Sequence, residues 1–205
     1  AIHGAQVAER PSPSGEKQTV DLNRPWPTMT VHDAVSAACR TAITTTTPAA
    51  ELAEICAAHR VPTAADMSAG HLVMALYETL VEKHTDFPTF YIDFPVEVSP
   101  LARRHRDDPR VAEHWDLVGF GMELGTAYSE QTDPVLQRER LTSQSLAAAG
   151  GDPDAMHLDE DFLAALNYAM PPTGGLGLGV DRLVMMLTGG PIRSTLSFPL
   201  SLIHI

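Results

Sequence analysis

Cysteine, aromatic residues, basic charge and long apolar runs are all scarce in this 205-residue chain, and each shortage excludes something. Only Cys39 and Cys56 are present. A disulfide framework or a cysteine zinc site is therefore not expected, and the usage points to a cytosolic protein. No run approaches the roughly 20 apolar residues of a membrane span, and no secretory signal opens the chain. The 14 Lys and Arg are outnumbered by 26 Asp and Glu, for a net charge of −12. Phosphate-backbone binding needs a basic surface, so this chain is not expected to provide a main nucleic-acid grip. Apolar residues at 44% and charged residues at 20% leave a globular composition, long enough for one domain with a real core. There are no internal repeats. The first residue is Ala1 rather than Met, and 201–205 (Ser-Leu-Ile-His-Ile) follow soon after a Phe-Pro. The expectation is a piece of a longer protein whose last five residues are a foreign tail.

The densest chemistry lies at 173–187, Thr-Gly-Gly-Leu-Gly-Leu-Gly-Val-Asp-Arg-Leu-Val-Met-Met-Leu. Glycine alternates through a short extended run, so a ligand can lie flat against backbone free of side chains. An apolar helix follows with Arg182 in its first turn, where a guanidinium adds to the positive end of the helix dipole. Such a corner suits a polyphosphate, although the glycines alone also fit a plain strand–helix packing corner. A dinucleotide fingerprint is rejected: its final G-x-x-G spacing is missing, and too few residues follow Gly179 for a second strand–helix unit.

Upstream, 115–130 read as two strands around glycines. A two-residue turn at Gly119-Phe120 would pair Asp116 with Glu123 on one side of the ladder, with Cβ atoms roughly 4.5–5.5 Å apart. Two like charges so placed require compensation, which a hard divalent cation carrying phosphates would supply. Two solvated carboxylates are the plainer reading of the hairpin alone. A turn one residue later, at Phe120-Gly121, would break the direct pairing. Glu130 lies past an expected bend at Gly125, near Thr126 and Tyr128. A partly buried acid with a tyrosine wall suits an ammonium group, while its closeness to Asp133 also fits a plain acid near a helix start.

The remaining chain is read by period and punctuation. Residues 1–18 read as an open connector and 19–22 as a short strand. Helices are expected over 31–39 with Thr30 as cap, over 49–59, and over 68–84 capped by Asp66 or Ser68. Residues 89–94 and 96–98 read as extended, and 114–120 and 122–127 as strands. Asp133-Pro134 starts a helix running to about 149, which Gly150-Gly151-Asp152-Pro153 ends. Asp159 caps another over 160–170 with Phe162, Leu163 and Leu166 inward. The expected divisions are a connector and short strand over 1–28, a helical insertion over 29–86, and the body of the domain over 87–200.

Read together, these segments resemble a known family. The 173–187 stretch resembles motif 3 of the class II aminoacyl-tRNA synthetases. The order Phe90-Tyr-Ile-Asp-Phe-Pro-Val-Glu-Val-Ser-Pro-Leu-Ala, then Asp116, Glu123 and Glu130, then Asp159-Glu-Asp-Phe-Leu, then Pro171-Pro-Thr-Gly-Gly-Leu-Gly-Leu-Gly-Val-Asp-Arg, then Phe198-Pro199, is similar to the carboxyl-terminal half of a class II lysyl-tRNA synthetase. It is most similar to the actinobacterial type fused to a lysyl-phosphatidylglycerol synthase. The likeness spans roughly 22–200 and is concentrated after Thr89.

The resemblance implies an α+β fold, part of an antiparallel sheet flanked by helices, with an open edge. It implies a lysine–tRNA ligase that activates lysine with ATP and passes it to tRNA(Lys). Asp116 and Glu123 would hold ATP-bound Mg²⁺, and Gly179 and Arg182 would bind ATP, with Arg182 as the catalytic cation on the far phosphate. Glu130 would meet the lysine ε-ammonium, with Thr126 and Tyr128 lining the lysine pocket. Two positions depart from the pattern: Asp116 stands where many relatives have Glu, and Thr126 where most bacterial relatives have Asn. Motif 1, motif 2 with its α-phosphate arginine, and an anticodon-binding domain are not found, so the chain alone is expected to be inactive. The longer protein is expected to be a homodimer, cytoplasmic or at the cytoplasmic face of a membrane. Three other readings stay open: a paralogue that lysylates a protein, an aspartyl or asparaginyl enzyme (which would lack an acid at 130), and a non-catalytic synthetase-like domain.

Overall fold

The computed structural model describes residue 4 and residues 6–10, 18–64, 67–149 and 156–198. Its frame is a five-stranded sheet in the order β3 (Thr28–Thr30), β4 (Thr89–Ile92), β5 (His114–Gly119), β6 (Met122–Ser129), β7 (Gly174–Leu178). Only β3–β4 is parallel; the other three pairs are antiparallel. Helices pack on it, giving the α+β class expected of a class II synthetase-like domain. β1 (Val7–Arg10) and β2 (Gln18–Asp21) form a separate antiparallel ribbon. The open connector expected over 1–18 is thus wrong at Val7–Arg10, which pair with β2 and pack against the last helix.

Local signals set most helix starts. Thr30 caps α1 (Val31–Cys39), its hydroxyl accepting from the Asp33 amide at 3.0 Å. α2 (Ala49–Ala58) follows Pro48, and α3 (Ala69–Leu80) follows Ser68, which makes no side-chain capping bond there. The alternative cap Asp66 lies outside the described residues. α3 ends earlier than expected and passes into a 3-10 turn, Glu82–His84. Asp133 accepts from the Val135 amide at the start of α4 (Pro134–Ala149), as the Asp-Pro pair implies. The glycines at 150–151 expected to end it fall outside the described residues. Asp159 accepts from the Phe162 amide at the start of α5 (Glu160–Leu166), which stops short of 170. Leu163 and Leu166 point inward, but Phe162 is 40% exposed, against expectation. Val96–Val98 form a 3-10 turn rather than an extended segment. The last helix is α6 (Val180–Thr188).

Alternation along β5 sends neighbouring residues to opposite faces. Val118 and Tyr91 join the larger core, where Val31, Val35, Leu52, Leu72, Val73, Leu76 and Tyr77 of α1–α3 cover one face of the sheet. Leu117 and Leu124 face the other way, toward Ala8 of β1 and Leu183 and Met186 of α6. β7 is an edge strand, and its Leu176 and Leu178 are exposed.

Candidate active site

The hairpin register decides where the acids stand. The turn is Phe120-Gly121, both with positive φ (57° and 74°), which is a type I′ geometry. Gly119 then pairs with Met122 and Val118 with Glu123. The register shifts between Leu117 and Val118, after which Leu117 faces Gly125 and Asp116 faces Thr126. The direct Asp116–Glu123 pairing expected from a turn at Gly119-Phe120 is therefore wrong, and Gly125 follows a bulge at Leu124 rather than a bend. The reason is tertiary: the turn amides of Phe120 and Gly121 donate to the carbonyls of Asp86 and Thr85, at 3.2 and 2.9 Å. Those bonds hold the tip against the loop after α3 and offset the strain of a non-glycine residue at positive φ.

The two acids nevertheless share one face. Val118 and Asp116 share a face by alternation, and Glu123 lies opposite Val118, so Glu123 is the diagonal neighbour of Asp116. The Glu123 carboxyl is pushed above its ordinary range, first by burial and then by the charge of Asp116, while Arg182 opposes the shift. Arg182, in the first turn of α6, donates to the Glu123 carbonyl at 2.6 Å. The Gly179 amide donates to the Leu124 carbonyl at 3.0 Å, which pins the strand–helix corner to the bulge. A Cβ at Gly179 would find ordinary contact with the Arg182 side chain and the Leu124 carbonyl oxygen.

Thr126, Tyr128 and Glu130 continue along the same face by their period of two, over about 13 Å of strand. Opposite them on β7, Gly177 pairs with Thr126 and Gly175 with Tyr128. Glu130 is fixed by its neighbours. Its amide donates to the Thr173 carbonyl at 2.9 Å, it bridges to Ala102, and the Gln131 amide donates to the Leu101 carbonyl. That 100–102 segment is held by buried Gln137 of α4, which donates to the Pro100 carbonyl at 3.1 Å. The Glu130 carboxylate occupies the space a Cβ on Gly175 would need, so any side chain there would push that carboxylate aside. Burial raises the Glu130 carboxyl, and burial together with the charge of Glu130 raises the Tyr128 hydroxyl.

Three groups in or beside this site were not read from the sequence. His114 lies two residues before Asp116 on the same strand face; its Nε2 is 3.1 Å from Asp116 Oδ1 and 3.0 Å from Thr126 Oγ1. The period of two would have found it. Glu82 follows α3; its carboxyl is raised by burial and by the charges of Glu78, Glu123 and Asp116, against Arg182. The Tyr77 hydroxyl is buried without a hydrogen-bond partner and is pushed far above its usual range, first by burial and then by Asp116. No sequence spacing links Tyr77 or Glu82 to the hairpin, because tertiary packing alone brings them there.

The arrangement is bipolar. A guanidinium and a pair of mutually repelling carboxylates stand at one end of the face. A raised carboxyl beside a phenol stands at the other, and side-chain-free strand lies between. Among the described residues no three His, Cys, Asp or Glu side chains group as ligands for a metal. Two hard carboxylate oxygens sources at one end still fit Mg²⁺, which keeps waters and takes substrate phosphates as its remaining ligands. Among the same residues no helix is long and apolar enough to cross a membrane.

A mostly antiparallel five-stranded sheet flanked by helices is the frame of a class II synthetase-like domain. The chain belongs to the class II tRNA synthetases of the D, K and N type, whose family pattern it matches over residues 5–201. It is 59% identical over 200 residues to the lysylphosphatidylglycerol biosynthesis bifunctional protein LysX of Nocardia farcinica, a match covering 98% of this chain and 18% of that protein. LysX of Mycobacterium marinum is 58% identical over 204 residues, covering 100% of this chain and 18% of the relative. LysX of Rhodococcus opacus is 54% identical over 201 residues, with 98% and 18% covered. The chain spans about 18% of the length of these curated relatives.

Proposed function

We propose that this chain supplies the ATP- and lysine-binding face of a lysine–tRNA ligase. The observation that carries the reading is Glu130. Its partly buried, raised carboxyl stands over Gly175 beside Tyr128, on the face that presents Asp116 and Glu123. A raised acid without a cation is an unfavourable arrangement that an ammonium relieves. Lysine offers that ammonium at the tip of a chain long enough to leave its carboxylate near the nucleotide end. Aspartate and asparagine, the other amino acids of this family, carry no side-chain cation.

The reaction joins the lysine carboxylate to the α-phosphorus of ATP, breaking the bond to the β-phosphate and releasing pyrophosphate. The hydroxyl of the tRNA terminus then attacks the activated carbonyl and displaces AMP. Such transfers depend on positioning and charge neutralisation. Arg182 neutralises the far phosphate, and the flat strand at Gly177 lets the nucleotide lie close. Asp116 and Glu123 would hold Mg²⁺, which when bound neutralises the pyrophosphate oxygens. Glu130 fixes the ε-ammonium, with Tyr128 along the aliphatic stem and Thr126 toward the carboxylate end. The relatives' names link them to lysylphosphatidylglycerol biosynthesis, and we extend this link: lysine activated here feeds transfer to that lipid.

The test is amino-acid-dependent exchange of pyrophosphate into ATP by the full-length protein. Exchange with lysine, and not with aspartate or asparagine, is expected. Exchange driven by either of those two, or none with lysine, would overturn the reading.

A further inference from the structure

The His114 ring has no part in the chemistry described so far, yet few side chains in the domain are held so completely. Phe94 stacks on one side of it, with ring centroids 4.2 Å apart at 30°. Tyr128 meets it edge-on at 5.6 Å and 83°. Nδ1 lies 3.1 Å from the hydroxyl of buried Ser99. Nε2 faces two oxygens at once, Asp116 Oδ1 and Thr126 Oγ1. A ring so clamped cannot swing, so its polarity is imposed on its neighbours.

The hydrogen on Nε2 follows from its partners. An ionised carboxylate only accepts, so Nε2 must carry a hydrogen toward Asp116 whether the ring is neutral or charged. The same N–H then points between Asp116 and Thr126, and the Thr126 hydroxyl receives it as an acceptor. No other hydrogen bond engages that hydroxyl among the described residues. Its own hydrogen is therefore left for a ligand to accept. A hydroxyl could otherwise present either a donor or an acceptor there.

We propose that His114 is a positioning residue that fixes the Thr126 hydroxyl as a hydrogen donor to an oxygen of the bound amino acid, and ties that donor to Asp116. The proposal rests on the lysine-activation reading and adds to it. Glu130 selects the cationic tip, while the His114–Thr126 pair demands an acceptor oxygen at the other end. The pair thereby makes the site discriminate against a diamine of lysine's length. Ser99 and Phe94 hold the ring, so the donor geometry exists before any ligand arrives.

The experiment titrates full-length protein with L-lysine and with cadaverine, which has the two nitrogens but no carboxylate, by calorimetry in the absence of ATP. His114→Phe keeps a ring between Phe94 and Tyr128 and removes both nitrogens. It should weaken lysine binding about tenfold, the scale of one lost hydrogen bond to a charged acceptor. Cadaverine binding should be unchanged. His114→Gln, whose amide restores an N–H near the Nε2 position, should recover most of the loss. Thr126→Val should match His114→Phe, and the double variant should be no weaker than either alone. Equal loss for lysine and cadaverine would show a merely structural role and overturn the proposal. So would additive effects of the two substitutions, or unchanged lysine affinity in His114→Phe. If wild-type protein binds no lysine at all, the function proposed above fails, and this proposal with it; the other three results overturn the proposal alone.

Discussion

Gly175→Ala is the most informative small perturbation. The added Cβ would lie well inside contact distance of Glu130 Oε1 and 3.2 Å from its Cδ. Ordinary contact needs roughly 3.5–4.0 Å between carbons, so the carboxylate must retreat by about 1 Å. The obstacle is the far end of a flexible side chain, and Gly175 is not at positive φ. The backbone therefore tolerates alanine, and the loss of unfolded-state entropy offsets some of the crowding, by about 0.4–1 kcal/mol. Tm should change little. Lysine binding should not survive intact, because a charge-assisted hydrogen bond is worth about 1.5–3 kcal/mol, or roughly ten- to a hundredfold in Kd. Mg·ATP binding, centred on Asp116, Glu123 and Arg182, should stay within about twofold, below the weight of a single such bond. Parallel calorimetric titrations with lysine and Mg·ATP, plus a thermal melt, read all three quantities. Unchanged lysine affinity with an unchanged melt would show that the Glu130 position does not set lysine binding.

The other predictions follow from the same face. At Gly177 an added Cβ would meet the Thr126 methyl at 3.5 Å and the Thr126 carbonyl oxygen at 3.9 Å, both ordinary contacts. Gly177→Ala should leave Tm unchanged yet weaken Mg·ATP binding, if the nucleotide lies on that backbone; unaltered affinity would remove it from the strand. Burial and Asp116 raise the Glu123 carboxyl, so ionised Glu123 costs stability as pH rises through its raised folded value. Glu123→Gln should accordingly raise Tm at pH 7 while abolishing Mg·ATP binding, and a lowered Tm would contradict the repulsion. The raised Glu130 carboxyl protonates at a higher pH than an ordinary glutamate. Lysine affinity should fall with decreasing pH and begin to do so above the usual glutamate range. A flat profile between pH 7 and 5 would mean that its ionised form is not what lysine meets.

The legibility of this chain follows the range of the interactions involved. Thr30, Asp133 and Asp159 announce α1, α4 and α5 because a cap bonds to amides two or three residues away. The glycine strand and the Arg182 helix are likewise local. The hairpin register was not decidable from its own residues. Gly119, Phe120 and Gly121 permit two turns, and the choice is made by carbonyls of Thr85 and Asp86, far away in sequence. The same distance hides Tyr77 and Glu82, which reach the acids only because α3 packs on the sheet. Val7–Arg10 could not be read as a strand for a related reason, since its partners are β2 and α6. At the site, period two along β6 places Thr126, Tyr128 and Glu130 on one face. That this face is also the face of Asp116 and Glu123 depends on the bulge at Leu124, which shifts the register by one residue and sets Thr126 opposite Asp116.

The central claim is that one sheet face holds a nucleotide end and a separate lysine-selecting acid. Its most direct measurement is the pair of dissociation constants for lysine and Mg·ATP in full-length protein carrying Glu130→Gln. The account predicts that lysine binding falls at least about tenfold, the cost of replacing a charged partner by a neutral one, while Mg·ATP binding is kept. Lysine affinity equal to wild type, or equal losses for both ligands, would contradict it.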